Sequence, residues 1–298
     1  ANMCNQGRRP RILLGVTGSV AAVKGPKLAL RLASELKADV KVVLTRTVEQ
    51  YFWKDGRAVS TYDGESWREI IAATSASAST VTATATASPK EVVDQEKENS
   101  WRLSKGSISI HYSDEEWTSY KSLRDSVLHI DLRNWADICL IAPLSAHTLA
   151  KIANGLCDDL LTCCVRAWDF GQRKQQQQHR QSLKDGDDNN KDGRGKPVIL
   201  APAMNTAMWD HPLTRMQLES IQQYASVGKT DGGDDNGDCN PGVMIVEPAV
   251  KKLACGDVGA GALAELDDVV GAVRKCLVPW DLSGITHTKD VSDVVDNS

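Results

Sequence analysis

A repeated alternation of short apolar runs and amphipathic segments constrains the fold of this 298-residue chain more than any other feature. The first run, RILLGV at residues 11–16, is typical of a buried strand. A helical pattern follows, with Leu28, Leu32 and Leu36 at helical spacing, and ADVKVVLT at residues 38–45 alternates like a second strand. A strand, a helix and a strand in this order form a βαβ unit, which predicts a parallel sheet.

The same alternation continues through the rest of the chain. Further strands are predicted at 136–143, 196–202 and 242–248, and further helices at 145–155, 158–169, 212–224 and 265–277. Strands that alternate with helices indicate an α/β fold with a doubly wound parallel sheet, of the Rossmann or flavodoxin-like type, in a three-layer sandwich.

Three polar stretches interrupt this pattern. They are predicted to be disordered surface insertions, because their composition offers too little apolar surface to offset the entropy lost on ordering. We therefore expect a single domain over 8–282 followed by a disordered tail over 283–298. The insertions span 72–100, 171–196 and 229–242.

Composition excludes several classes of protein. The net charge of −4 implies no strong field for nucleic acid or membranes, and no apolar run is long enough to span a bilayer. The first ten residues lack an apolar signal core, which predicts a cytoplasmic protein. Its 8 cysteines are then expected to be thiols. No pair has C-x-x-C spacing, so no metal site is predicted.

Two strand-to-helix turns are candidates for binding a phosphate. Gly15 and Gly18 flank the end of the first strand, and Ser145 opens the helix after a later one. Free backbone N–H groups and the positive end of the helix dipole suit an anion there, although a plain tight turn or a simple N-cap explains each turn equally well. The two turns would lie side by side in a parallel sheet, where ligands bind, which favours a phosphate-bearing cofactor.

Three further positions carry possible chemistry. His129 lies among apolar residues just before a predicted strand and is either a satisfied core histidine or a reactive one. Cys255 lies in the glycine-rich ACGDVGAGAL, typical of a mobile loop, where the thiol is either incidental or chemical. In PAMNTAMW (202–209), the amide of Asn205 lies beside Met204 and Met208 in the sequence. These methionines either pack in the core or form an apolar surface next to the amide.

Four motifs together resemble one family, the flavin-dependent cysteine decarboxylases. They are GVTGSVAAVK, HIDLRNWADICLIAPLSAHTLAKIANGLCDDLLTCCVRAWD, PAMNTAMWDHP and ACGDVGAGALAE, and the resemblance covers about 200 residues. It implies that the chain uses FMN to decarboxylate 4′-phosphopantothenoylcysteine to 4′-phosphopantetheine, a reaction of coenzyme A biosynthesis. The implied route oxidises the substrate thiol to a thioaldehyde, releases CO2, and then reduces the resulting enethiolate.

The resemblance also implies roles for individual residues. His129 and Cys255 correspond to the catalytic residues, and Asn205 and Ala254 to residues that bind the substrate. The positions that correspond to FMN contacts are Gly18, Ser19, Val20, Thr45, Arg46, Thr47, Ser145, Ala146, His147, Thr148 and Ala203.

The chain departs from the family pattern at two positions of its longest motif. His147 stands where the family often has Asn, and Asn134 where it tends to have Arg, which bears on FMN and substrate affinity. The resemblance further implies a homo-oligomer, commonly a trimer, whose active site lies between subunits. The alternatives are a regulatory subunit that inhibits a protein phosphatase on the same fold, and a flavin prenyltransferase or peptidyl-cysteine decarboxylase, against both of which Cys255 argues.

Overall fold

A six-stranded parallel sheet forms the centre of the molecule. A computed structural model of the chain describes residues 8–78, 106–170, 195–226, 242–252 and 258–277. The sheet has the order β3-β2-β1-β4-β5-β6, with all neighbouring pairs parallel. Its strands are β1 (Arg11–Val16), β2 (Asp39–Leu44), β3 (Ile108–His111), β4 (Ile138–Leu144), β5 (Val198–Pro202) and β6 (Val243–Ile245).

Helices cover both faces of this sheet, as the apolar runs predicted. Alternate residues of β1 point to opposite sides, since Ile12 and Leu14 belong to one apolar core and Leu13 to the other. The helices are α1 (Gly25–Glu35), α2 (Arg46–Val48), α3 (Arg57–Ala78), α4 (Glu115–Ser119), α5 (Leu128–Trp135), α6 (Ala146–Ala153), α7 (Leu160–Arg166), α8 (Thr206–Trp209), α9 (Pro212–Ser226) and α10 (Leu266–Cys276).

The two cores are built by different helices. Helices α1, α3 and α10 pack on the first face, whereas α5, α6, α7 and α9 pack on the second. This is the predicted three-layer α/β sandwich, and the strand order is the doubly wound one in which the direction of winding reverses between β1 and β4. Among the described residues, no helix combines the length and apolar character needed to cross a bilayer.

A separate two-stranded antiparallel hairpin lies near the end of the domain. Strands β7 (Ala249–Lys252) and β8 (Val258–Ala262) pair across the five residues 253–257, which lie outside the described residues. Sequence patterns predicted a loop here, and the strands on either side are a finding of the structure.

Some sequence-based boundaries differ from the structure. Helix α3 runs to Ala78 and buries Ala73, so residues 72–78 continue this helix instead of opening an insertion. Lys196, predicted within the second insertion, donates from Nζ to the carbonyls of Arg133 and Ala136 at 3.0 and 2.8 Å. The remaining insertion residues 79–100, 171–194 and 229–241, and the tail over 283–298, lie outside the described residues.

Candidate functional site

A buried hydroxyl joins the two strand-end turns at the centre of the sheet. Thr17 follows β1 and is 0% exposed, and its Oγ1 donates to the carbonyl of Pro143 at 2.8 Å. The backbone N–H of Ser145 donates to the same Oγ1 at 2.7 Å. The turns predicted to lie side by side therefore do so, and Thr17 sets their separation.

Each turn opens a helical segment with a serine cap. The Ser145 hydroxyl accepts from the N–H of Thr148 at 3.3 Å, which confirms the predicted N-cap of α6. The Ser19 hydroxyl accepts from the N–H of Ala21 at 3.4 Å, at the start of a 3₁₀ helix over Val20–Lys24. Both helical N-termini thus begin at the carboxyl edge of the sheet, where an anion is stabilised by the helix dipole.

A cavity of about 270 Å³ opens between these turns and the end of β2. Hydroxyls and basic groups from three segments, residues 45–47, Ser113 and residues 145–151, converge on it. Thr45 Oγ1 is buried and accepts no hydrogen bond and donates none within the described part of the chain. The lining residues are Gly18, Thr45, Arg46, Thr47, Ser113, Ser145, His147, Thr148, Lys151, Asp158 and Asp159.

The charges of the cavity are partly paired. Lys151 Nζ lies 2.8 Å from Asp158 Oδ1 and 3.1 Å from Asp159 Oδ2. Burial works against the charged form of Lys151, but the hydrogen bonds to the two carboxylates hold its pKa above its usual value. Arg46 pairs with Asp114 at 2.8 Å, and both side chains remain well exposed at the rim. Each of these basic groups is therefore already paired with a carboxylate, and Lys151 with its two aspartates carries a net charge of −1.

Gly18 packs closely against the Thr47 side chain where the first turn meets the end of β2. A Cβ added at Gly18 would lie 3.0 Å from Thr47 Cγ2 and 3.1 Å from Thr47 Cβ. The close approach leaves the backbone of the turn open to the cavity.

Seven of the eleven residues that correspond to FMN contacts line this one cavity. They are Gly18, Thr45, Arg46, Thr47, Ser145, His147 and Thr148. Ser19, Val20 and Ala146 adjoin them in the same turns, with Val20 exposed. Ala203 is buried beyond the end of β5, where its N–H donates to the Leu144 carbonyl at 2.9 Å.

Asn205 caps the short helix α8 with one half of its amide. Its Oδ1 accepts from the N–H of Met208 at 2.8 Å, and the residue is exposed. Since Oδ1 is used by the cap, Nδ2 remains a donor, and no described residue accepts from it. Met204 is buried beneath, whereas Met208 is half exposed. The motif thus presents a neutral hydrogen-bond donor beside an apolar surface.

The hairpin β7–β8 is bound directly to this motif. The Met204 N–H donates to the Gly261 carbonyl at 2.9 Å. Gly261 has φ of 128°, and a Cβ there would lie 2.5 Å from the Met204 carbonyl oxygen, so only glycine fits. Ala254 and Cys255 belong to the connection between the two strands and lie outside the described residues.

His129 does not line the cavity within one chain. It lies in the first turn of α5, the helix that precedes β4, where Leu128 and Leu132 are spaced for one face of the helix. Its Nδ1 lies 2.7 Å from Glu116 Oε1 of α4, and Cys163 of α7 lies beside the pair.

The ligand-type atoms of Glu116, His129 and Cys163 all lie within 4.8 Å of one another, a spacing suited to a metal ion. Each already has a protein partner: Glu116 and His129 bind each other, and Cys163 Sγ donates to the Cys157 carbonyl at 3.3 Å. Burial, followed by the nearby Glu116, raises the pKa of Cys163 to about 11, so the thiol stays neutral. Its neighbour Cys164 is fully buried, whereas Cys163 is only partly buried.

Sequence patterns missed several groups of the site. Three of them, Lys151, Asp158 and Asp159, lie in the motif that contains Ser145. Their position shortly after the Ser145 cap could have predicted that they line the same cavity. Glu116 had no signal of its own, because it lies in a stretch without a clear periodic pattern.

Comparisons with known proteins agree on one family. A family model described as Flavoprotein matches residues 2–278. The phosphopantothenoylcysteine decarboxylase HAL3a of Glycine max is 38% identical over 267 residues, which cover 90% of this chain and 84% of that protein.

Two solved structures share both fold and sequence. One is a Cys-to-Ser mutant of PPC decarboxylase complexed with pantothenoylaminoethenethiol, with a TM-score of 0.55 and 31% identity over 90% of this chain and 98% of that one. The other is the FMN-binding protein AtHal3, with a TM-score of 0.54 and 31% identity over 90% and 96% of the two chains. The chain therefore belongs to the Flavoprotein family and, within it, to the phosphopantothenoylcysteine decarboxylases.

Proposed function

We propose that this enzyme uses FMN to convert 4′-phosphopantothenoylcysteine to 4′-phosphopantetheine and CO2, as a step of coenzyme A biosynthesis. The observation that carries the proposal is the cavity at the β1–β4 reversal point, with Asn205 presented nearby as a neutral donor. The names of the relatives, and the FMN-binding structure that the chain resembles, support the same reaction.

The residues of the cavity fit a flavin phosphate. The buried Thr45 Oγ1 lacks a partner among the described residues, which is costly unless a ligand supplies one. The N-terminus of α6, the side chains of Thr47 and Thr148, and the guanidinium of Arg46 at the rim add donors of the kind that bind phosphate. When bound, the flavin supplies the two-electron acceptor and donor of the reaction.

The side chains of this chain supply binding and proton transfer. The Asn205 Nδ2 donates to the substrate carboxylate without adding a positive charge that would stabilise the carboxylate against loss of CO2. His129 accepts the proton of the substrate thiol, a role suited to imidazole near neutral pH. Cys255 delivers the proton that completes the final reduction; the Cys-to-Ser mutant structure that contains pantothenoylaminoethenethiol supports this assignment.

The proposal is tested on the purified protein. We expect it to be yellow and to release FMN, identified by chromatography, when it is denatured. With phosphopantothenoylcysteine it should release CO2 and yield phosphopantetheine by mass spectrometry. A colourless protein that takes up no added FMN contradicts the proposal, as does a yellow protein that leaves this substrate unchanged while decarboxylating a cysteine-terminated peptide.

The chain is further proposed to act as a homotrimer with an active site shared between subunits. Large apolar side chains are exposed along the segment between Glu116 and His129, with Trp117 74% and Leu123 96% exposed. Such a patch is typical of an interaction surface, and the absence of His129 from its own chain's cavity fits a site completed by a second copy.

Sedimentation of Trp117→Glu tests this surface. We expect the variant to dissociate, whereas Tyr62→Glu, an exposed aromatic on α3 at the other face of the sheet, should sediment like the wild type. A wild-type monomer, or an unchanged Trp117→Glu oligomer, contradicts the proposed interface.

The described cysteines are all free thiols, which supports a reducing compartment such as the cytoplasm.

A further inference from the structure

A carboxylate and an imidazole from two different helices form a close, partly buried pair. Glu116 Oε1 of α4 lies 2.7 Å from His129 Nδ1 of α5, thirteen residues along the chain. The glutamate side chain is 8% exposed and the histidine side chain 24% exposed. The pair is therefore shielded at the carboxylate but accessible at the ring.

This contact decides which ring nitrogen carries the proton in the neutral histidine. A carboxylate accepts but does not donate, so the hydrogen bond requires a proton on Nδ1. Nε2 then keeps its lone pair, and no described residue donates to it. Across proteins, a partner on one ring nitrogen fixes the tautomer and the orientation of the imidazole.

We propose that Glu116 is the positioning residue of His129: it holds the Nδ1–H tautomer, directs Nε2 to the substrate thiol, and stabilises the imidazolium formed there. The proposal rests on the proposed function and extends it to a residue for which the motifs of the chain gave no signal. In the step concerned, the S–H bond breaks, its proton passes to Nε2, and the electron pair stays on sulfur. The positive charge is then shared with a carboxylate 2.7 Å from Nδ1.

The surroundings hold this pair in place. Cys164 Sγ donates to the backbone carbonyl of His129 at 3.7 Å and so fixes the start of α5 against α7. Within the described part of the chain, the titratable groups beside the pair include the thiols of Cys163 and Cys164, both of which burial keeps neutral, and Asp159, whose negative charge also acts on these two thiols.

The adjacent Glu115 makes an independent pair, since its Oε1 lies 3.1 Å from His111 Nδ1. Two neighbouring glutamates thus serve two different histidines, and only one of these histidines is proposed to be reactive. This arrangement provides a matched control on the same helix.

The experiment compares Glu116→Gln with Glu115→Gln in the flavin-loaded full chain. Glutamine keeps the size of the side chain, but its amide either accepts from Nδ1–H or donates to a bare Nδ1, which allows both tautomers. Nitrogen NMR of protein labelled in its histidines reports the tautomer without any reaction, and His129→Asn identifies the signal. Stopped-flow bleaching of the flavin by substrate reports thiol deprotonation in a single turnover.

We expect the His129 signal of the wild type to show the Nδ1–H tautomer and that of Glu116→Gln to shift toward Nε2–H. Bleaching should slow by roughly 10- to 100-fold, as for other histidines that lose an orienting carboxylate, with the substrate concentration at half-maximal rate little changed. Glu115→Gln should match the wild type in both measurements.

An unchanged His129 tautomer together with unchanged bleaching in a folded, yellow Glu116→Gln protein overturns the inference. A slow variant whose tautomer is unchanged also overturns it, because the loss would then not act through ring orientation. Failure of the wild type itself to bleach with this substrate contradicts the proposed function instead, and the NMR comparison still decides the role of Glu116.

Discussion

Thr17 provides the sharpest test of how the sheet builds its ligand crevice. The side chain is completely buried, and its single hydroxyl both donates to the Pro143 carbonyl and accepts from the Ser145 N–H. Thr17→Val keeps the shape of the side chain but removes both hydrogen bonds. The perturbation therefore acts on the connection between the β1 and β4 turns and on little else.

The expected loss follows from the partners that remain. The Pro143 carbonyl still accepts from the Thr17 N–H at 3.2 Å, so losing the hydroxyl bond costs only about 1 kcal/mol there. The buried Ser145 N–H loses its acceptor, which costs about 1–3 kcal/mol. Burial of an additional methyl group offsets about 0.8 kcal/mol. The net destabilisation is about 2 kcal/mol, or a fall in Tm of roughly 4–8 °C for a domain of this size.

Thr17→Ser is the matched control. Serine keeps both hydrogen bonds and loses one methyl group, which costs about 0.8 kcal/mol. Ser145 begins the helix that faces the cavity, so only Thr17→Val should also weaken FMN binding. If the displaced turn lowers the binding free energy of FMN by about 1.4 kcal/mol, the Kd rises roughly 10-fold.

Urea unfolding of the flavin-free protein, followed by tryptophan fluorescence at one fixed protein concentration, measures the stability term separately from ligand binding. Fluorescence quenching of added FMN measures the affinity. If Thr17→Val is as stable as Thr17→Ser and binds FMN equally well, the hydroxyl does not connect the turns as argued.

Two further substitutions test the proposed catalytic residues, and a third change tests the polar insertions. His129→Asn should keep its flavin but lose bleaching by substrate, measured by absorbance; undiminished bleaching would assign the base elsewhere, with His147 the first candidate. Cys255→Ser should still release CO2 but accumulate a product two hydrogens short of phosphopantetheine by mass spectrometry, because serine is a far weaker acid than cysteine; normal product at the normal rate contradicts the role of Cys255. Replacing residues 79–100 and 171–194 by short Gly/Ser linkers should leave FMN content and turnover unchanged, since their composition supports no packed core; loss of flavin in either variant would contradict this.

The strands of the central sheet were predictable for a physical reason. A parallel strand covered on both faces must be apolar at nearly every position, and β1 and β4 are buried along almost their whole length. Strand β3 escaped prediction because it is short, lies at the sheet edge and is only partly buried. The β7–β8 hairpin escaped prediction because Gly261 fits against the backbone of Met204 and Asn205, a long-range contact that no local pattern encodes.

The candidate site was predictable to the extent that it consists of strand ends. Polar residues that follow buried strands must meet at one edge of a parallel sheet, which brings Gly18, Thr45 and Ser145 to one cavity. The pairing of Glu116 with His129 depends instead on how α4 and α5 pack together. A glutamate in a polar stretch looks like any solvated charge until the tertiary structure buries it.

If Asn205 binds the substrate carboxylate as proposed, this one side chain of the PAMN segment meets a structural and a chemical requirement together. Helix α8 is only four residues long, so it needs the Asn205 cap to begin at a fixed point. An aspartate would cap the helix equally well, but it would present a negative charge to the substrate carboxylate and offer no donor. A lysine would donate, but its positive charge would stabilise the carboxylate in the ground state and oppose the loss of CO2. Under the proposed function asparagine satisfies both demands, because its oxygen completes the cap while its nitrogen stays available to the substrate.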